Sequence, residues 1–116
     1  MTSAGGPHAR FKRALDTGNL LLIRAAAVEL PKPPQLDDAL HICLLLRDGE
    51  PAMYDRAVVR WLGRFCLERP FATFYDLQRA INAFDRLQSE PEQSARVLHR
   101  LVRPPGDAGE ASAEHD

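Results

Sequence analysis

Apolar residues recur at helical spacing in six stretches of the chain, and no stretch shows the strict alternation of a half-buried strand. The first predicted helix covers about Ala9 to Asp16, the second about Leu20 to Leu30, and the third about Leu36 to Arg47. The fourth covers about Pro51 to Arg69, and two more follow Thr73 and Ser89. The connections are short, so the pattern predicts an all-α fold, a compact stack of five or six antiparallel helices.

Residues that favour helix ends lie between these stretches. Gly18 is suited to a left-handed cap of the first helix, and Asn19 to the N-cap of the second. Prolines at positions 31, 33 and 34 end the second helix. The sequences Thr73-Phe74-Tyr75-Asp76 and Ser89-Glu90-Pro91-Glu92 both have the spacing of a capping box.

The third and fourth helices are predicted to lie at the centre of the stack. Between Ala39 and Leu46 only His41 is polar, and a helix that is apolar on nearly all sides is a buried one. The fourth helix carries a wide apolar face formed by Tyr54, Ala57, Val58, Val59, Trp61, Leu62, Phe65 and Cys66. The fifth carries a stripe formed by Phe74, Leu77, Ala80, Ile81, Phe84 and Leu87. We expect these residues to form the core.

The two ends of the chain differ in composition from the middle. Residues 1–8 and 104–116 consist mainly of small residues, Gly, Pro and, at the C-terminal end, acids. We therefore expect disordered tails around one helical domain at residues 9–103. Glu29 and Pro31 recur as Glu68 and Pro70, 39 residues later. This echo indicates either a repeated helical hairpin or coincidence, because Glu and Pro are common at helix boundaries.

The charge balance argues against a strongly basic nucleic-acid-binding domain. The chain has 15 basic and 16 acidic residues, and four of the acids lie after residue 103, which leaves a net charge of +3 (15 − 12) before it. Cys43 and Cys66 both fall within apolar helical patterns, so we expect free, buried thiols. The sequence shows neither a signal peptide nor a membrane-spanning run, and we expect a cytoplasmic protein.

Common signatures of catalysis are missing from the sequence. It contains no phosphate-binding glycine loop, no HExxH zinc motif and no GxSxG nucleophile elbow. His41 and Cys43 lie two residues apart on one helix, so they point in different directions and cannot share a metal ion. We therefore predict no catalytic residue, no metal and no cofactor.

Arg56, Arg60 and Arg64 are the candidate binding residues. They step by four along the fourth helix, where like charges cost about 0.2–0.5 kcal/mol per pair, and no acid lies three or four residues from Arg60. Two explanations remain open. Acids on neighbouring helices, Asp85 and Asp37 or Asp38, could compensate the arginines; alternatively, a ligand could do so, either an acidic partner or a phosphate backbone.

Parts of the sequence resemble small uncharacterised helical proteins of high-G+C Gram-positive bacteria. The resemblance covers about residues 10–102 and is carried by residues 13–20 (RALDTGNL), 38–40 (DAL) and 60–65 (RWLGRF). It implies a helical fold and a bacterial origin, but no activity and no site residues.

The hypothesis that follows is a non-enzymatic helical interaction module, which binds another protein or itself through one helical face. The first alternative is an accessory protein that binds nucleic acid through Arg56, Arg60 and Arg64. The second is an enzyme whose site the sequence does not reveal.

Overall fold

The computed structural model describes residues 5–103, which form six α-helices and no strand. The all-α prediction is confirmed. The helices are α1 (Pro7–Thr17), α2 (Leu20–Val28), α3 (Leu36–Gly49), α4 (Pro51–Glu68), α5 (Phe74–Arg86) and α6 (Pro91–Val102). α1 begins two residues before the predicted start, because proline fits the first turn of a helix. Residues 1–4 of the predicted N-terminal tail at 1–8, and all of the predicted C-terminal tail at 104–116, lie outside the described residues, whereas Pro7 and His8 belong to α1.

Most of the predicted helix ends are present. Gly18 has a positive φ of 70° and its N–H donates to the Leu15 carbonyl, while the Asn19 side chain accepts from the N–H groups of Leu21 and Leu22. The capping box of Thr73 and Asp76 is formed in both directions. The second predicted capping box is wrong.

The N-cap of α6 is Glu90, which makes no side-chain capping bond. The Ser89 hydroxyl donates instead to the carbonyl oxygen of Arg86, in the preceding turn. Pro91, at the start of α6, is the local signal for this helix.

The chain divides into two units, residues 1–57 and 58–116, and α4 begins in the first and continues into the second. In the first unit, α1, α2 and α3 pack around one apolar cluster. The buried residues of this cluster are Phe11, Ala14, Leu15 and Ile23.

The sequence echo between residues 29–31 and 68–70 would pair the end of α2 with the end of α4. These two helices differ in length, nine residues against eighteen, so the repeated hairpin stays a prediction.

Ion pairs join the helices of the first unit within the described residues. Arg10 of α1 contacts Glu29 at the end of α2 with 2.7 Å between Nη2 and Oε1. Lys12 contacts the buried Asp38 of α3 at 2.8 Å between Nζ and Oδ1. Arg24 of α2 donates two hydrogen bonds to Glu50, at 2.6 and 2.9 Å. The last pair ties α2 to the C-terminal end of α3.

The second unit is organised around Trp61, whose side chain is 2% exposed. The indole stacks on Phe65, one turn later in α4, with 5.4 Å between ring centroids and 9° between planes. It meets Phe84 of α5 edge-to-face, also at 5.4 Å. At the end of α4, Arg69 donates from Nη2 and Nε to the carbonyl oxygen of Val102, at 2.7 and 3.2 Å. This bond satisfies a carbonyl at the C-terminal end of α6, which lacks an intrahelical partner.

The buried faces of α4 and α5 are narrower than predicted. Val59 is 69% exposed and Cys66 is also exposed, so neither belongs to the core. Phe74 and Ile81 are 77% and 45% exposed, because the buried side of α5 is centred on Ala80, Ala83, Phe84 and Leu87. Not every apolar residue next to the stripe centre is buried, so the predicted buried faces of α4 and α5 were too wide.

Replacing Trp61 by alanine should lower the free energy of unfolding by about 3–5 kcal/mol, because it removes a buried ring and leaves a cavity. Urea denaturation followed by circular dichroism measures the loss. Val59→Ala, on the exposed side of the same helix, is the control and should change stability by about 0.5 kcal/mol or less. Equal effects of the two substitutions would contradict the assignment of Trp61 to the core.

The Arg24–Glu50 pair should make stability depend on pH in the acid range. The hydrogen bonds from Arg24 lower the pKa of Glu50 below its ordinary value. A carboxyl whose pKa is lower in the folded state adds stability above its unfolded pKa and loses it as pH falls through the folded pKa. Stability should thus rise from about pH 3 to pH 5, and Glu50→Gln should flatten this rise. Chemical denaturation of both proteins at several pH values tests this, and parallel pH profiles would contradict it.

Candidate functional site

The three candidate arginines lie on α4 as predicted, but they do not form one equivalent set. Arg56 and Arg60 are exposed, whereas the side chain of Arg64 is only 24% exposed. Arg64 donates from Nε and Nη2 to the carboxylate of Glu68, at 2.7 and 3.3 Å. Its partner therefore lies one turn later in the same helix.

Within residues 5–103, none of the three arginines forms an ion pair with Asp37, Asp38 or Asp85, the acids that could have compensated them from neighbouring helices. Arg64 is compensated by Glu68, and Asp38 accepts from Lys12 instead. Within residues 5–103, neither Arg56 nor Arg60 forms an ion pair. The repulsion between these two side chains is therefore not relieved by a carboxylate in the described part of the chain.

The side of α4 opposite Trp61 and Phe65 is apolar at its centre. Val59, Gly63 and Leu67 follow one another at intervals of four residues, and Val59 and Leu67 are 69% and 84% exposed. We call this surface the outer face of α4, and its members are Val59, Arg60, Gly63, Cys66 and Leu67. A helix that packs on only one side normally presents polar residues on the other. The outer face departs from this rule at its centre.

Gly63 is not required by the conformation or packing of the described chain. Its φ is negative, and a Cβ added at this position would meet no atom within 4 Å. A glycine in the interior of a helix costs about 1 kcal/mol relative to alanine. What it provides is a flat site at which another backbone can approach closely.

Exposed apolar residues also cluster elsewhere in the described part of the chain. On α2, Leu21 and Val28 are 75% and 83% exposed, and the charged residues beside them, Arg24 and Glu29, already form ion pairs. Before and at the start of α5, Phe71, Phe74 and Tyr75 are 81%, 77% and 67% exposed. Helical spacing alone places Phe74 in the core, so this aromatic cluster could not be recognised from the sequence.

The aromatic cluster borders a cleft of about 300 Å³ within the second unit. Three of the four charged residues that line this cleft already have partners in the chain: Glu68 pairs with Arg64, Arg69 binds the Val102 carbonyl, and Asp76 caps α5. Each of these three side chains thus already makes a structural contact within the chain. The outer face of α4 differs, since its Arg60 forms no ion pair within residues 5–103.

The two cysteines have different environments, which corrects the prediction that both are buried. Cys43 is 3% exposed, and burial raises the pKa of its thiol to about 11, so it stays protonated. Cys66 is exposed on α4. The described residues contain no group of three or more His, Cys, Asp or Glu side chains able to hold a metal ion.

Replacing Gly63 by alanine should raise the free energy of unfolding by about 0.4–1 kcal/mol, because alanine favours the helix and its methyl group meets open space. Gly18→Ala is the matched control and should destabilise, since its φ of 70° disfavours a side chain. Urea denaturation at low protein concentration, where the chain is monomeric, measures both. A loss of stability in Gly63→Ala would show that the position is packed.

None of the helices between residues 5 and 103 combines the length and apolar character that a membrane span needs. The resemblance to small helical proteins of high-G+C bacteria stays a prediction. No protein-family model matches the sequence, and no similarity to a curated protein or to a solved structure was found.

Proposed function

We propose that this protein is a non-enzymatic, cytoplasmic interaction module of bacterial origin that binds a protein helix through the outer face of α4. The observation that carries the proposal is the apolar centre of a solvent-facing helix, where Val59 and Leu67 flank a glycine without an internal role. Exposed apolar surface of this kind is typical of sites where proteins associate.

The side chains of the outer face indicate which kind of partner helix can bind there. An amphipathic helix recognises a complementary one through apolar residues at intervals of three and four. Gly63 lets the partner's backbone come close, and Val59 and Leu67 supply contact area on either side. The exposed guanidinium of Arg60 favours a partner with carboxylates beside its apolar stripe. The partner helix is therefore apolar along one side and acidic at its edge.

Photo-crosslinking in cells that make the protein tests the surface. We expect p-benzoylphenylalanine at Val59 to form a covalent adduct with a protein, and the same residue at the exposed Gln78 of α5 to form none. Adducts at Gln78 but not at Val59 would contradict the proposal.

The captured protein is then purified and its affinity is measured by calorimetry. Leu67→Asp should weaken binding at least about tenfold, because burying a leucine contributes about 1.5–3 kcal/mol and 1.4 kcal/mol corresponds to a factor of ten. Gln78→Asp, which adds the same charge away from the outer face, should have no effect. Equal affinities for wild type and Leu67→Asp would refute binding through this face.

The second candidate function is nucleic-acid binding, which is favoured by the absence of an ion pair at Arg56 and Arg60 within residues 5–103. Fluorescence anisotropy with labelled single- and double-stranded DNA and RNA tests it across a range of salt concentrations. If Arg60 contacts a phosphate, Arg60→Gln should reduce the slope of log affinity against log salt by about one. Undetectable binding of the wild type at physiological salt would exclude this function.

A further inference from the structure

We propose that the outer face of α4 binds the same face of a second copy of this chain, with the two helices antiparallel and the two-fold axis at Gly63. This inference rests on the proposed function and names the partner helix. The residues that carry it all belong to the second unit.

The spacing of the apolar residues is self-complementary about Gly63. Val59 lies four residues before the glycine and Leu67 four residues after it. In an antiparallel pair centred on Gly63, Val59 of each copy is therefore opposite Leu67 of the other. A two-fold interface requires this kind of match, in which residue i contacts j and j contacts i.

The glycine at the axis sets how closely the helices approach. Packed helices lie about 8–10 Å apart, and the smallest residues at the crossing point allow the shortest separation. A Cβ at Gly63 would meet nothing in its own chain, so the space in front of it is open to a second backbone. The cost of glycine in mid-helix would then be offset in the dimer.

The charges beside the apolar line also match in this orientation. Arg60 lies three residues before Gly63 and Glu68 five residues after it, and both lie on the same side of the Val59–Gly63–Leu67 line. The antiparallel pairing places them two residues apart along the helix axis, about 3 Å at 1.5 Å per residue. The Glu68 side chain is 42% exposed although it pairs with Arg64, and a carboxylate can accept from more than one guanidinium.

A parallel pair would lack this complementarity. In a parallel two-fold pair the two Arg60 side chains would lie at the same height on opposite sides of the interface, and each would be eight residues, about 12 Å along the axis, from Glu68 of the other copy. The antiparallel arrangement gives Arg60 the carboxylate that residues 5–103 of its own chain do not supply as an ion pair. Charge complementarity thus selects both the second copy and its direction.

Complementary charge reversal tests this arrangement with the full-length chain. The two-fold dimer has two Arg60–Glu68 contacts between its copies. In a homodimer of Arg60→Glu or of Glu68→Arg, both contacts are replaced by pairs of like charge. In a mixed dimer of the two variants, the two substituted side chains would face each other with opposite charges, and the native Arg60–Glu68 contact would remain. Each variant alone should therefore dimerise weakly, while their 1:1 mixture should dimerise.

Sedimentation velocity measures the association over about a hundredfold range of protein concentration, because dimerisation follows mass action. We expect a reversible dimer for the wild type, a dissociation constant at least about tenfold higher for each variant alone, and recovery in the mixture. Circular dichroism verifies that each variant is folded. Gly63→Leu supplies an independent variant, since its side chain fits the open space of the monomer but blocks the approach of the second helix.

A wild type that stays monomeric throughout this range would overturn the inference. So would a dimer that the Gly63→Leu variant retains, or a mixture of charge variants that shows no recovery. Monomeric wild type together with a photo-crosslink from Val59 to a different protein would leave the proposed function standing. No crosslink at Val59 and no dimer would reject both.

Discussion

The packing of Trp61 determines which side of α4 is buried in the second unit and which side faces solvent. The indole stacks on Phe65 and meets Phe84 of α5 edge-to-face, so these three rings establish which side of α4 is buried. Aromatic pairs of this geometry add about 0.5–1.5 kcal/mol beyond the burial of their area. Because the opposite side of a helix must then face away from this contact, Val59, Gly63 and Leu67 are exposed as a consequence.

The outer face of α4 has features that lower the stability of the isolated chain. It has a glycine in mid-helix, two apolar side chains in water, and an arginine whose like-charged neighbour Arg56 lies one turn away. Substitutions at such places commonly stabilise a protein and reduce its function, because function and stability impose different demands. An interface in which a second helix covers these residues would reverse all three effects at once.

The first unit shows how ordinary exposed charges are accommodated in the same protein. Arg10, Lys12 and Arg24 each have a carboxylate partner on another segment of that unit, at 2.6–2.8 Å. These pairs connect the helices around the apolar cluster of Phe11, Ala14, Leu15 and Ile23. Arg60 differs from these three residues because no carboxylate of residues 5–103 forms an ion pair with it, whereas the helices of the first unit supply acids to their own cations.

The sequence by itself determined the type of the elements, their number to within one, and most of their ends. Helix ends depend on neighbouring residues, so Gly18, Asn19 and the Thr73–Asp76 box could be recognised from local spacing. Trp61 could also be placed in the core, because it lies at the middle of an apolar stripe. Tertiary structure alone decided which apolar residues outside the stripe centres are buried, since the width of a buried face depends on the neighbouring helix. Cys66, Val59 and Phe74 were misplaced for this reason, and the apolar outer face of α4 became visible only when their exposure was known.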